Sequence, residues 1–176
     1  MADFVLIHGA WEAGWAWKWV IPLLRNAGHN VHAPSLTGLG ERSHLLSRDV
    51  DLETHIEDVL GLLKWGQLEN VTLVGHSYGG MVTTGVADRA PDRVGSLIYL
   101  DAFMPENGQA VQDLIDPERF AAMRRLADEK GEGWYITPLP APFWHVHEPE
   151  HAAFLDLLST PHPLATMTQK LVCDGN

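Results

Sequence analysis

Gly75-His76-Ser77-Tyr78-Gly79-Gly80 is the stretch whose reading decides the fold. It follows the apolar run Val71-Thr72-Leu73-Val74 and precedes a helical stretch of small residues, Met81 to Ala90. A G-x-S-x-G match carries meaning when a strand enters it and a helix leaves it, and both are present. Gly75 and Gly79 remove side chains that would collide where the chain reverses. Ser77 is then held in a strained conformation with its hydroxyl above the sheet, which makes it a candidate nucleophile. A chance glycine-rich turn is the alternative reading.

Working outward, Phe4-Val5-Leu6-Ile7 is a continuous apolar run of the kind that forms a strand buried on both faces of a parallel sheet. It ends in His8-Gly9-Ala10. Trp15 to Ala27 predicts a helix with Val20, Leu23, Leu24 and Ala27 on one stripe, Pro22 in its first turn or kinking it, and Gly28 as its stop. Asn30 to Ser35 reads as a second strand. After a polar, glycine-rich loop, Asp51 can cap a helix that buries Leu52, Ile56, Val59, Leu60 and Leu63. Val71 to Val74 is the third strand and Val94 to Leu100 a fourth, reaching Asp101.

The rhythm changes after this point. Residues 102–165 are rich in proline and predict two helices, one from near Pro117 and one from near Pro149, with no strand alternating with them. The expected organisation is an α/β core over 1–103, a helical cap over 104–165 and a return segment over 166–176. Four strands alternating with three helices give a doubly wound parallel sheet. Right-handed crossovers and the order 2-1-3-4 open a crevice between the first and third strands. The loops His8-Gly9-Ala10 and Gly75-His76-Ser77 then face each other.

An alkoxide attacking an ester carbonyl creates an anionic oxygen, which needs preorganised donors. The Tyr78 amide, at the start of a helix whose dipole favours negative charge, supplies one. The Ala10 amide supplies the second. A plain turn is the alternative for His8-Gly9. Asp101 is a candidate acid or a pocket carboxylate. His76 reads as packed support beside the site. Trp11 belongs in the pocket, and with Phe103, Met104, Trp134 and Phe143 suggests an apolar or aromatic ester. Gly9, Trp11, His76, Phe103 and Trp134 are the candidate substrate-binding residues.

Phe4 to Trp11, the tryptophans at 15 and 17, the Gly75–Gly80 turn and Leu100-Asp101-Ala102-Phe103-Met104-Pro105 resemble the α/β-hydrolase superfamily. The branch resembled holds plant methyl esterases, hydroxynitrile lyases and bacterial esterases of the pyrethroid-hydrolase type. The resemblance covers roughly residues 3–170. It implies serine-dependent hydrolysis of a carboxylic ester with no metal and no cofactor. In that family the order is serine, acid, histidine, with the acid and histidine after two further strands. The sequence reaches Asn176 before any such strands. The expectation is therefore a shortened form of the fold that lacks the counterpart of the catalytic histidine. A ligand-binding relative without a base, a fragment without activity of its own, and a hydroxynitrile lyase are the alternatives; the additional cap lysine of the lyases is not evident.

The remaining features set bounds. A formal net charge of −11 argues against a nucleic-acid partner. The single cysteine, Cys173, allows no internal disulfide, and the start has neither basic residues nor a signal-peptide core. No run approaches membrane-spanning length. These point to a cytoplasmic protein with no membrane partner. His145, His147 and His151 loosely resemble a metal triple, but cap packing is the simpler reading. Arg119, Arg124 and Arg125 among Glu118, Asp128 and Glu129 read as a solvated helix face. In a shortened fold, Val94 to Leu100 becomes an exposed apolar edge that invites self-association.

Overall fold

Three apolar runs and one short mixed segment, Asn-Val-His, pair side by side, with the two central strands flanked on both sides. In the computed structural model, which describes residues 1–175, they form β1 (Asp3–Ile7), β2 (Asn30–His32), β3 (Val71–Ser77) and β4 (Val94–Ala102). All pair in parallel in the order β2-β1-β3-β4. Leu6 lies opposite Val74 and Ile7 opposite Gly75, so β1 and β3 end level and their following loops meet. This is the doubly wound topology that the apolar runs predict.

Three helices cover the sheet: α1 (Val20–Asn26), α2 (Leu52–Trp65) and α3 (Gly79–Arg89). Asp51 caps α2 in a full capping box: its carboxylate accepts the Thr54 N–H at 2.9 Å, and the Thr54 hydroxyl accepts the Asp51 N–H. Leu52, Ile56, Val59 and Leu63 of α2 join Met81, Val82 and Val86 of α3 and Val5, Ile7, Leu73 and Tyr78 in the main core. The first helix departs from expectation. A 3-10 turn over Gly14–Trp17 precedes α1, which starts only at Val20. Pro22 then falls in its first turn, and the face packed on Leu6, Val31 and Val74 is Ile21 and Leu24. Val20 and Leu23 stay exposed, because a two-turn helix buries a single narrow stripe.

Beyond β4 come α4 (Val111–Leu114), α5 (Pro117–Lys130), β5 (Tyr135–Ile136), α6 (Pro149–Leu158), β6 (His162–Pro163) and α7 (Ala165–Thr168). The β5–β6 ladder is antiparallel and two residues long, too short to leave a periodicity in the sequence. Residues 169–175 pack back onto α3. Leu171 is buried in the main core, and the Asp174 and Gly175 amides donate to the Asp88 carboxylate at 2.8 and 3.1 Å. Among the described residues no helix is long and apolar enough to cross a membrane.

The close approach of α3 to the end of β4 depends on one missing methyl. A Cβ built on Gly80 would stand 1.9 Å from the Phe103 carbonyl oxygen. Gly80→Ala must push α3 off the sheet, and it is expected to lower unfolding free energy by at least about 2 kcal/mol in urea titration. On the other side, β4 has no strand on its outer edge among the described residues, and Leu97, Ile98 and Leu100 are exposed. Self-association through this edge follows as a proposal. Light scattering should show mass rising with concentration, less so in Leu100→Lys; a monodisperse monomer throughout would refute it.

Candidate active site

Ser77 is the last residue of β3 and adopts φ +51°, a left-handed conformation that costs a non-glycine residue about 1–3 kcal/mol. The packing around it maintains the strain. Methyls on Gly75 and Gly79 would stand 2.8 Å from the Gly79 oxygen and 2.7 Å from the Ile7 oxygen, respectively. Neither position tolerates a side chain, which is why the turn brings β3, α3 and the end of β1 into direct main-chain contact. The Ser77 carbonyl accepts the Phe103 N–H at 3.0 Å. A register shift after His76 brings Ser77 opposite Ala102, and Asp101 beside it takes φ +44°.

The loop after β1 lies against this turn. A Cβ on Gly9 would fall 3.2 Å from that of Ser77. Both residues flanking Ala10 are tied down. The Gly9 N–H donates to Glu12 at 2.9 Å and its carbonyl accepts from His8 at 2.8 Å. The Trp11 N–H donates to His162 at 3.3 Å, its indole N–H to the Ile136 carbonyl at 3.0 Å, and its carbonyl accepts the Thr160 N–H at 2.9 Å. The Ala10 and Tyr78 main-chain N–H groups have no hydrogen-bond partner among the described residues. A rigid loop and a helix start thus leave two donors uncommitted.

Above the turn opens a cleft of about 1280 Å³. Gly9, Ala10, Trp11, His76, Ser77, Asp101 and Phe103 line it, so it gathers most of the residues singled out by the sequence. The Tyr78 phenol turns the other way, fully buried. Trp134 is a correction: it does not line the cleft. Its indole N–H donates to Glu132, Arg48 lies over its ring, and the ring stands nearly perpendicular to that of Tyr135. Met104 is likewise outside, exposed beyond the point where the chain leaves β4. Trp15, Trp19, Trp144 and Phe154 complete the aromatic wall with Phe143. Arg119 belongs to it too, stacked on Phe143 and Trp144 rather than simply solvated. Of the tryptophan-rich segment 11–19 only Trp11 was expected in the pocket; Trp15 and Trp19 line it too, and nothing in the sequence marked Arg119 or Phe154.

The model of the alpha/beta hydrolase family matches residues 4–174. The chain belongs to the α/β-hydrolase family. It is 43% identical over 183 residues to a carbendazim hydrolyzing esterase of Nocardioides sp., covering 99% of this chain and 75% of that protein. It is 38% identical to a pyrethroid hydrolase of Sphingobium wenxiniae over 68% of this chain, but spans only 40% of that relative's length. An extracellular alpha/beta-hydrolase from a Paenibacillus species superposes with a TM-score of 0.90 at 30% identity, covering 99% of this chain and 72% of that one.

Three buried histidines hold the α/β-hydrolase turn and loop in place, and their hydrogen bonds fix their tautomers. His8 accepts the Leu36 N–H on Nε2, so Nδ1–H donates to the Gly9 carbonyl. His55 of α2 must donate from Nε2 to the Thr37 carbonyl, so Nδ1 accepts the Tyr78 hydroxyl at 3.0 Å. His162 accepts from Trp11 on Nδ1, and Nε2–H meets the Thr166 hydroxyl at 2.7 Å. All three use both ring nitrogens in the neutral form. Burial lowers all three below the ordinary histidine value, His55 to about 4 and His162 well below, helped by its neighbours His55 and His8. No sequence pattern marks His55 or His162 for this role.

A histidine depressed in the folded state is protonated first in the unfolded chain. Below the ordinary value near 6.5 the unfolded state binds more protons, so stability falls as pH falls, until the folded values are reached. Each histidine contributes up to about 1.4 kcal/mol per pH unit in that window. Urea titrations at pH 7.5, 6 and 5 should show a steep loss on the acid side; equal midpoints at all three would exclude the neutral network.

Proposed function

We propose that the chain is a carboxylic ester hydrolase with Ser77 as nucleophile. The observation that carries this reading is the strained Ser77 at the cleft floor, flanked by the uncommitted N–H groups of Ala10 and Tyr78. In the reaction, Ser77 Oγ bonds to the ester carbonyl carbon and the carbonyl electron pair moves to oxygen. That oxygen takes hydrogen bonds from Ala10 and Tyr78 beside the N-terminus of α3. Each such donor is worth about 3–4 kcal/mol of barrier. The intermediate collapses as the C–O bond to the leaving group breaks, and the alcohol departs carrying the proton given up by the Ser77 hydroxyl. Water then adds to the acyl carbon, the bond to Oγ breaks, and one of its protons restores the Ser77 hydroxyl as the acid leaves. No step calls for a metal or a cofactor.

The aromatic wall favours apolar or aromatic esters. The relatives, a carbendazim hydrolyzing esterase and a pyrethroid hydrolase, support an ester-hydrolase reading. Serine is a weak nucleophile without a base. Among the described residues Ser77 Oγ has no hydrogen-bond partner, and His76, His145 and His151 are the imidazoles that line the cleft. Asp101 makes no hydrogen bond to any of them, so it acts as a pocket carboxylate in this reading.

A fluorophosphonate probe together with p-nitrophenyl acetate tests the proposal. Covalent labelling and turnover above the buffer rate are expected, and both should fall to background in Ser77→Ala. Labelling that persists in Ser77→Ala would refute the nucleophile. Ligand binding without labelling would instead favour a non-catalytic binding role for the same cleft.

A further inference from the structure

One pair of charges in the cleft is not used by the ester chemistry. Glu12 and His76 both line the cleft, one on the loop after β1 and the other just before Ser77. Glu12 Oε2 is 3.2 Å from His76 Nδ1 and also accepts the Gly9 N–H at 2.9 Å. The Glu12 side chain is 19% exposed and that of His76 35%. The other imidazole nitrogen, Nε2, has no protein partner among the described residues, while the ring stands nearly perpendicular to that of Trp17, their centroids 6.3 Å apart. A carboxylate is thus locked against one end of the ring, and the other end is available to whatever fills the cleft.

The groups facing this imidazole set its charge. Burial disfavours the imidazolium, but the hydrogen bond and charge of Glu12, with the charge of Asp101, outweigh that and hold His76 above its ordinary value. His8, whose own protonation the His76 charge disfavours, is buried and doubly hydrogen-bonded as the neutral form. Burial likewise pushes Glu12 up, but His76 and the Gly9 N–H bring it below the usual carboxylate range. The two shifts agree on an ion pair.

We infer that Glu12 and His76 form a fixed ion pair in the cleft, in which the imidazole Nε2–H of His76 recognises an uncharged hydrogen-bond acceptor, a ring nitrogen or second carbonyl oxygen, carried by the ester next to its scissile bond. The inference rests on the reading of this cleft as the ester site. Asp101 lines the same wall, so a neutral acceptor is favoured over a carboxylate, which Asp101 would repel. Glu12 itself is a positioning residue: it acts through His76 and through Gly9. Substrates of this class are aryl or heteroaryl esters with a heteroatom adjacent to the carbonyl-bearing carbon.

Non-hydrolysable ketones test this in the full chain carrying Ser77→Ala, by titration calorimetry. The probes are acetophenone, 2-acetylpyridine and 2-acetylbenzoate. A hydrogen bond to a charged donor predicts about tenfold tighter binding of 2-acetylpyridine than of acetophenone, with no such gain for the carboxylate. Glu12→Gln still offers an oxygen to the Gly9 N–H but loses the charge. It should abolish the preference and lower the His76 titration midpoint followed by NMR, as His76→Leu should abolish the preference. A merely structural Glu12 would leave the preference intact in Glu12→Gln. That result overturns the inference, as does no preference in the parent (absence of binding included) or a His76 titrating at or below the ordinary histidine value. Preference without fluorophosphonate labelling of the Ser77 protein would sink the esterase reading alone; labelling without preference would sink this inference alone.

Discussion

The site depends on main chain touching main chain where a single methyl group would not fit. Gly79 lies against the carbonyls of Ile7 and His8, Gly9 against Ser77, and Gly80 against Phe103. These contacts join the ends of β1, β3 and β4 at one level of the sheet. Ser77 cannot relax out of its left-handed conformation without separating them. The strain is therefore stored by packing across three strands, and the local turn alone would not hold it. The parallel register supplies the rest: because Ile7 is level with Gly75, the loop that presents Ala10 comes close enough for its geometry to matter to Ser77.

Rigidity of that loop comes from side chains. Glu12 and His8 take the two polar groups of Gly9, and His162 takes the Trp11 N–H. His162 belongs to β6, a piece of the cap, so the cap is wired into the donor loop as well as covering it. His55 does the same for the turn from the opposite side, through the Tyr78 hydroxyl. With the polar groups of Gly9 and the Trp11 N–H satisfied, the free N–H groups at Ala10 and Tyr78 are held without a partner of their own. That is the preorganisation on which stabilising an anion depends.

Much of this was legible in the sequence. The motif around Ser77 has strict steric requirements, and steric requirements leave glycines at fixed spacing. The paired end of β1 was legible for the same reason, and so were β1, β3 and β4, each built on a short apolar run. Asp51 announced its helix because capping needs a specific side chain at a specific place. The cap was less readable. Trp134 looks like any other pocket aromatic until the two-residue ladder β5–β6 turns it away, and a ladder so short leaves no pattern. The helix over Val20–Asn26 shows the same limit: its apolar residues were evident, but which of them face the sheet depends on where a 3-10 turn hands over to α1. Glu12, His55 and His162 were invisible because their partners are 64, 23 and 151 residues away.

The histidines show how one side chain serves opposite ends. His8, His55 and His162 are sealed from water, and each meets one donor and one acceptor, an arrangement that only the neutral ring satisfies. His76 differs in two respects: a third of its side-chain surface is exposed, and its one fixed partner is a carboxylate. Desolvation alone would drive it neutral like the others, so the carboxylate decides its charge. Glu12 in turn is held as a carboxylate partly by the Gly9 N–H, a group fixed by the fold. The charge that faces the cleft is therefore set by the same loop that presents Ala10, and a change in one is felt at the other.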